Sequence, residues 1–137
     1  FDTVFVDAPC SGTGTMRRHG EIPWRLTPQE CDRDLPELQL ELLREAACRV
    51  GAGGQLIYAT CSVLRAENSQ VVTQFLGSPE GEGFAPMPLS DALVAAGPAY
   101  SGAAEDIAAH EIPIGTFQSY PHQGGFDGHF CVRFIRV

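Results

Sequence analysis

Two short hydrophobic runs near the start and middle of the chain each end in a segment that carries a cysteine. Thr3-Val4-Phe5-Val6 is apolar, β-branched and aromatic, which predicts a buried strand, and Pro9 forbids its continuation. Asp7 and Cys10 then fall on the turn that leaves this strand. Gly53-Gly54 break the chain before Gln55-Leu56-Ile57-Tyr58, a second predicted strand, and Cys61 follows one residue beyond Thr60. Between them Thr27-Pro28-Gln29-Glu30 carries a capping-box signature, and Asp34-Leu35-Pro36-Glu37 marks a second helix start. Leu38, Leu42, Leu43, Ala46, Ala47 and Val50 recur at helical spacing and are expected to face the sheet. Strand, helix, strand predicts one right-handed crossover with parallel strands, so Cys10 and Cys61 meet at the same C-terminal rim, where open parallel sheets bind ligands.

Further on, Glu67-Asn68-Ser69-Gln70 leads into Val71, Val72, Phe75 and Leu76, a third helix stopped by Gly77. Residues 78–110 are rich in glycine, proline and alanine and predict a loop-rich insertion, with a short helix over Leu89 to Ala96. Glu111-Ile112-Pro113-Ile114 predicts a short edge strand, and the alternation from His129 to Val137 a closing one. Pro121 to Gly128 forms a turn-rich approach to the rim, with His122 and Asp127 as candidates there.

Composition narrows the function classes. With 137 residues and 44% hydrophobic content, the chain can bury a core as one domain or a large part of one. No apolar run approaches the roughly 20 residues of a membrane span, which predicts a cytoplasmic protein. A net charge of −8 argues against a free-standing nucleic-acid binder, and every basic side chain other than histidine is an arginine. The local basic group is Arg17-Arg18-His19, with Arg25 after it; it reads either as a solvated cluster or as a clamp on backbone phosphate. The five cysteines show no C-x-x-C pair, so neither a zinc site nor a disulfide framework is expected. Cys31, Cys48 and Cys131 read as small buried hydrophobes, leaving Cys10 and Cys61 beside polar neighbours at strand ends. Phe1-Asp2-Thr3 enters a strand with no start methionine, cap or preceding glycine-rich cofactor loop, which predicts a piece of a longer protein lacking its cofactor-binding half.

DAPCSGTG, RRHGEIPWR, the Leu-rich helix ending in GAGGQLIYATCSV with Glu67-Asn68 after it, and PHQGGFDGHFCVRF carry a resemblance. Together they resemble the C-terminal half of the RsmB/Sun (Fmu, NOP-type) family of RNA cytosine-5 methyltransferases, over nearly all of the chain outside residues about 78 to 110. The resemblance implies an α/β fold, the C-terminal part of a Rossmann-like methyltransferase domain, mostly parallel with a late antiparallel strand. It implies that residues 1–137 form a partial catalytic domain, with S-adenosyl-L-methionine as cofactor and rRNA or tRNA as partner, and neither metal nor membrane.

The implied chemistry explains two thiols. Carbon 5 of cytosine is a poor nucleophile until a thiolate adds to carbon 6, and afterwards the carbon-5 proton and the thiolate must both leave. By the resemblance Cys61 is the nucleophile, Cys10 aids release, and Asp7 holds the base edge and favours protonation at ring nitrogen 3. Asp7 and Pro9 are expected beside the cofactor; Pro9, through its carbonyl, Arg17, Arg18, Thr60 and Ser62 are expected beside substrate. Thr60 and Ser62 are also expected to orient the nucleophile's loop.

Three rival readings stand beside this one. A phosphatase-type loop is disfavoured because one residue too many separates Cys10 from Arg17 and no histidine precedes the cysteine. A DNA cytosine-5 methyltransferase places its nucleophile in a Pro-Cys segment and predicts no second Thr-Cys-Ser. The third is a catalytically inactive methyltransferase-like scaffold or partner-binding module.

Overall fold

A computed structural model of the chain describes residues 1–112 and 115–137. Strand β1 (Thr3–Asp7) pairs in parallel with β2 (Gln55–Thr60), and helix α2 (Leu35–Ala47) lies in the connection, after a short α1 (Ile22–Arg25). Helix α3 (Ser69–Leu76) follows β2 and ends at Gly77. Then come β3 (Phe84–Met87), α4 (Leu89–Ala96), α5 (Ser101–Ala108), β4 (Glu111–Ile112), β5 (Thr116–Gln118) and β6 (Phe130–Arg136). The sheet order is β1-β2-β6-β5-β4, and β3 lies end to end with β5 along the same edge of β6.

The α/β class and the late antiparallel strand follow the expectation. Parallel pairing is confined, among the described residues, to β1–β2; β6 runs antiparallel to β2, β3 and β5, and β4 antiparallel to β5. The expected edge strand over 111–114 is present as β4, its last two residues lying outside the described ones. Asp7, expected on the turn, is the last residue of β1, because its position still pairs with Ala59 and the break comes only at Pro9. Residues 78–110 carry the expected short helix over Leu89 to Ala96 as α4, with β3 and α5 standing where loop was expected. Their alanines sustain helix between the glycines and prolines, which serve as boundaries at Pro88, Gly97 and Pro98.

The core lies between one sheet face and α2 and α3. Leu56 and Tyr58 of β2 alternate inward with Phe130, Val132 and Phe134 of β6, and they meet Leu43, Ala47, Val71, Val72 and Phe75. Phe75 packs edge-on against Phe134 with ring centroids 5.2 Å apart.

The two expected helix starts behave as one entry. The capping box forms, with the Thr27 amide donating to Glu30 Oε2 at 2.8 Å and the Glu30 amide to Thr27 Oγ1 at 3.2 Å. Glu30–Asp34 then widens into a π-helical turn that runs straight into α2. The buried face of α2 is Pro36, Gln39, Leu43 and Ala47, whereas Leu38 and Leu42 are 41% and 38% exposed. The reason is Gln39: its amide is bonded beneath the cysteine loops, which turns Leu38 and Leu42 away from the sheet. Cys48, at the C-terminal cap of α2, is exposed and not a core thiol, and Cys31 and Cys131 are only partly covered.

Leu43→Ala is expected to cost about 2–5 kcal/mol of stability in equilibrium urea unfolding, and Leu38→Ala about 1 kcal/mol or less. The reverse order would place the helix face where the spacing of leucines alone puts it.

Candidate active site

Because β1 and β2 are parallel neighbours, the segments that leave them emerge side by side. The Ala8 amide donates to the Ala59 carbonyl at 2.9 Å and extends the ladder to the rim. Gly12 then takes a left-handed φ of 72° and reverses the first segment. The Gly14 amide donates to the Cys61 carbonyl at 2.9 Å, and the Val63 amide donates to Thr13 Oγ1 at 3.1 Å. These ties bring Cys10 Sγ and Cys61 Sγ to 3.3 Å. The approach to β6 closes over the same place: the Gly128 amide donates to the Gly14 carbonyl at 2.8 Å. A Cβ on Gly14 would stand 1.9 Å from the Gly128 oxygen, so only glycine allows this backbone crossing.

Beneath the thiols lies a fully buried polar cluster centred on Glu67. Its Oε1 accepts the Ser11 amide at 2.8 Å and Gln39 Nε2 at 3.0 Å. Its Oε2 accepts the Ser11 hydroxyl at 2.6 Å and the Ser62 hydroxyl. No cation pairs with it among the described residues; neutral donors alone satisfy it. Tyr58 donates its hydroxyl to the Glu67 carbonyl at 2.6 Å from below. Asn68 ties the second segment to itself, accepting from Thr60 Oγ1 at 2.6 Å and donating to the Ser62 carbonyl at 2.8 Å.

The surroundings of Cys10 act on its thiol. Burial first, and the hydrogen bond to Cys61 second, push the Cys10 thiol up to about 12. Cys10 therefore holds its proton at neutral pH. Burial alone raises Cys131 to about 11.

The other expected residues divide. Asp7 is exposed at the end of β1, with no side-chain hydrogen bond among the described residues. The Pro9 carbonyl, expected to face a base, instead accepts from Gln39 Nε2 at 2.9 Å, because the α2 side of the turn holds the nearest donor. Thr60 and Ser62 are 2% and 0% exposed, so neither meets a substrate. Their hydroxyls are committed inward, to Asn68 and Glu67. Arg17 and Arg18 both reach Asp127, at 2.8 and 2.6 Å, and fasten the Cys10 loop to the approach to β6. Burial pushes the Asp127 carboxyl up, but the hydrogen bonds and charges of the two arginines outweigh this and leave it lowered. His122 stacks on Tyr120 with ring centroids 5.6 Å apart. A cavity of about 550 Å³ shares Asn68 with the cysteine loop and is lined also by Arg65, His110, Gln118 and Tyr120.

Ser11, Thr13, Gln39, Glu67 and Asn68 form a support for which the sequence predicts no role at the thiols. Among the described residues no group of three potential metal ligands comes together, and no helix is long and apolar enough to cross a membrane.

Gly14→Ala is expected to lose on the order of 2 kcal/mol or more in urea unfolding, since backbone and not side chain must yield. The folded chain also holds the Cys10 proton more tightly than the unfolded chain does. Stability is therefore expected to fall as pH rises from the ordinary thiol value of 9.0 toward about 12. Urea midpoints across that range should fall less steeply for Cys10→Ala, with Cys131 contributing to what remains.

Comparison with known proteins places this arrangement. Residues 1–135 match the family model 16S rRNA methyltransferase RsmB/F. Ribosomal RNA small subunit methyltransferase B of Pectobacterium carotovorum subsp. carotovorum (strain PC1) is 34% identical over 99% of this chain, which spans 26% of that protein. The protein of the same name from Escherichia coli O6:K15:H31 is 48% identical over 56% of the chain and 18% of its own length. Among solved structures, PH0851 superposes with a TM-score of 0.74 at 31% identity, over 97% of this chain and 26% of that one. NSun6 from Pyrococcus horikoshii, solved with SFG, shares the fold at a TM-score of 0.70 and 20% identity, over 97% and 29% of the two chains. The chain thus spans about a quarter or less of the curated relatives it matches, and it belongs to the 16S rRNA methyltransferase RsmB/F family.

Proposed function

We propose that this chain is the part of an RNA methyltransferase that carries out covalent catalysis at carbon 5 of a cytosine, in rRNA or tRNA. The observation that carries the reading is the pair of thiols 3.3 Å apart at the rim of two parallel strands, one of them held protonated. Family membership and the names of the rRNA methyltransferase relatives support RNA as substrate.

In this reading Cys61 adds as thiolate to carbon 6 of the base, and the electron pair of the 5,6 double bond becomes available at carbon 5. Once carbon 5 is methylated, its proton passes, by way of Cys10, to the Cys61 sulfur as that sulfur leaves and the double bond is restored. Cys10, next to that sulfur, returns a proton to the departing thiolate. Asp7 holds the base edge at ring nitrogen 3 and stabilises charge that develops there during attack.

S-adenosyl-L-methionine, the proposed cofactor, supplies the methyl group as a sulfonium. Of the two residues expected beside it, Asp7 fits, being exposed at the strand end without a side-chain hydrogen bond among the described residues; the Pro9 carbonyl is engaged by Gln39. The arginine pair offers one net positive charge after Asp127 is counted, enough for one phosphate contact beside the site.

The test is a denaturing gel of full-length protein incubated with cellular RNA and S-adenosyl-L-methionine. Cys10→Ala is expected to accumulate a protein–RNA adduct that disappears in the Cys10→Ala/Cys61→Ala double variant. Adduct retained by Cys61→Ala would move the nucleophile to Cys10. Absence of adduct, methyl incorporation and cofactor binding in every form would favour a scaffold.

A further inference from the structure

The two serines that bond to Glu67 occupy equivalent places: Ser11 directly follows Cys10, and Ser62 directly follows Cys61. One carboxylate oxygen, Glu67 Oε2, accepts both hydroxyls, while Oε1 accepts the Ser11 amide itself. The serine hydroxyls also lie 3.2 Å from each other, and Thr13 Oγ1 lies 3.1 Å from both. The backbone ties at Gly14 and Val63 hold the loops together two or more residues from either sulfur, or through the Cys61 carbonyl alone. Next to the thiols, the two chain segments are linked both through Glu67 and by the direct contacts of Ser62 with Ser11 and Thr13.

We propose that Glu67 is a positioning residue: its carboxylate fixes the residues after both cysteines to one point and so sets the distance between the two sulfurs. The importance of that distance for turnover rests on the function proposed above. The distance itself does not. Among the described residues Glu67 makes no hydrogen bond to either thiol, and it acts on them through Ser11 and Ser62.

The carboxylate is well suited to this. Its two oxygens present about four lone-pair sites, and four donors converge on them. Gln39 keeps the group from swinging, because its Nε2 spans the Pro9 carbonyl and Glu67 Oε1 and so couples α2 to the same point. A glutamine at position 67 retains a bridge: its oxygen can keep the Ser11 amide and Gln39, and its NH2 can donate to serine hydroxyls, which accept as readily as they donate. An alanine removes the bridge altogether.

The readout is the rate at which diamide, a two-electron thiol oxidant reduced to the hydrazine, joins Cys10 and Cys61 into a disulfide in the full-length protein, followed by mass analysis of the linked peptides. It needs neither RNA nor cofactor. At a temperature where circular dichroism shows each form folded, Glu67→Ala is expected to link at least about tenfold more slowly than wild type, and Glu67→Gln within about threefold, since small misplacements of reacting atoms cost rate steeply. A folded Glu67→Ala that links within about twofold of wild type overturns the proposal and leaves Glu67 a stabilising residue only. Should Glu67→Ala fail to fold, Ser11→Ala and Ser62→Ala decide: slowing by about threefold in either supports the proposal, and unchanged rates in both overturn it. Slowed linking in a protein whose wild type shows no methyl transfer would uphold Glu67 and sink the functional reading instead.

Discussion

A carboxylate buried without a cation is the constraint on which this rim depends. Moving a charge out of water costs several kcal/mol, and the cost is offset only when its acceptor sites are filled with good geometry. Glu67 is filled by donors from three separate segments: Ser11 after β1, Gln39 on α2 and Ser62 after β2. No one of these elements satisfies it alone, so the loops and the helix must arrive together. An apolar residue in the same place could match the stability, but it would accept any nearby packing. The carboxylate accepts one arrangement, and that arrangement is what holds two loops of different strands in fixed register.

The same economy of neutral groups shapes the chemistry above. Two sulfurs 3.3 Å apart do not both ionise readily. Burial and the hydrogen bond to Cys61 raise the Cys10 thiol, which keeps its proton at neutral pH. In the proposed function that leaves Cys61 as the candidate for attack, with Cys10 placed to donate to it. The proposed roles of nucleophile and proton donor thus follow from position in the fold, since the two groups are chemically identical.

Legibility in the sequence tracks how local each feature is. Both strands, α3 and its Gly77 stop depend on runs of a few residues and could be read directly, as could the meeting of Cys10 and Cys61, which needs only parallel order. The burial of α2 could not, because a polar residue, Gln39, takes the centre of the buried face where an amphipathic reading looks for leucine. Glu67 looked like one member of a polar segment ahead of a helix. Its burial is decided by partners 28 and 56 residues away, and no local pattern encodes that. Within 78–110 the helix over Leu89–Ala96 could be read, whereas α5 was obscured for the opposite reason: the glycines and prolines around it are boundary signals that resemble loop when they come close together.

The arginine pair shows how charge is apportioned in an acidic chain. Arg17 and Arg18 are half-exposed, yet they are not free cations, because Asp127 sits between them and fastens the Cys10 loop to the turn before β6. A phosphate that approached them would have to share their donors with a carboxylate whose lowered pKa keeps it ionised at neutral pH. The pair can therefore orient one phosphate but adds little net attraction, and screening by salt reduces that further. With a net charge of −8 over the chain, long-range attraction to RNA has no source here. In the proposed function this chain's own charge therefore adds little to affinity for RNA, and its rim supplies the two thiols and the geometry that holds them 3.3 Å apart.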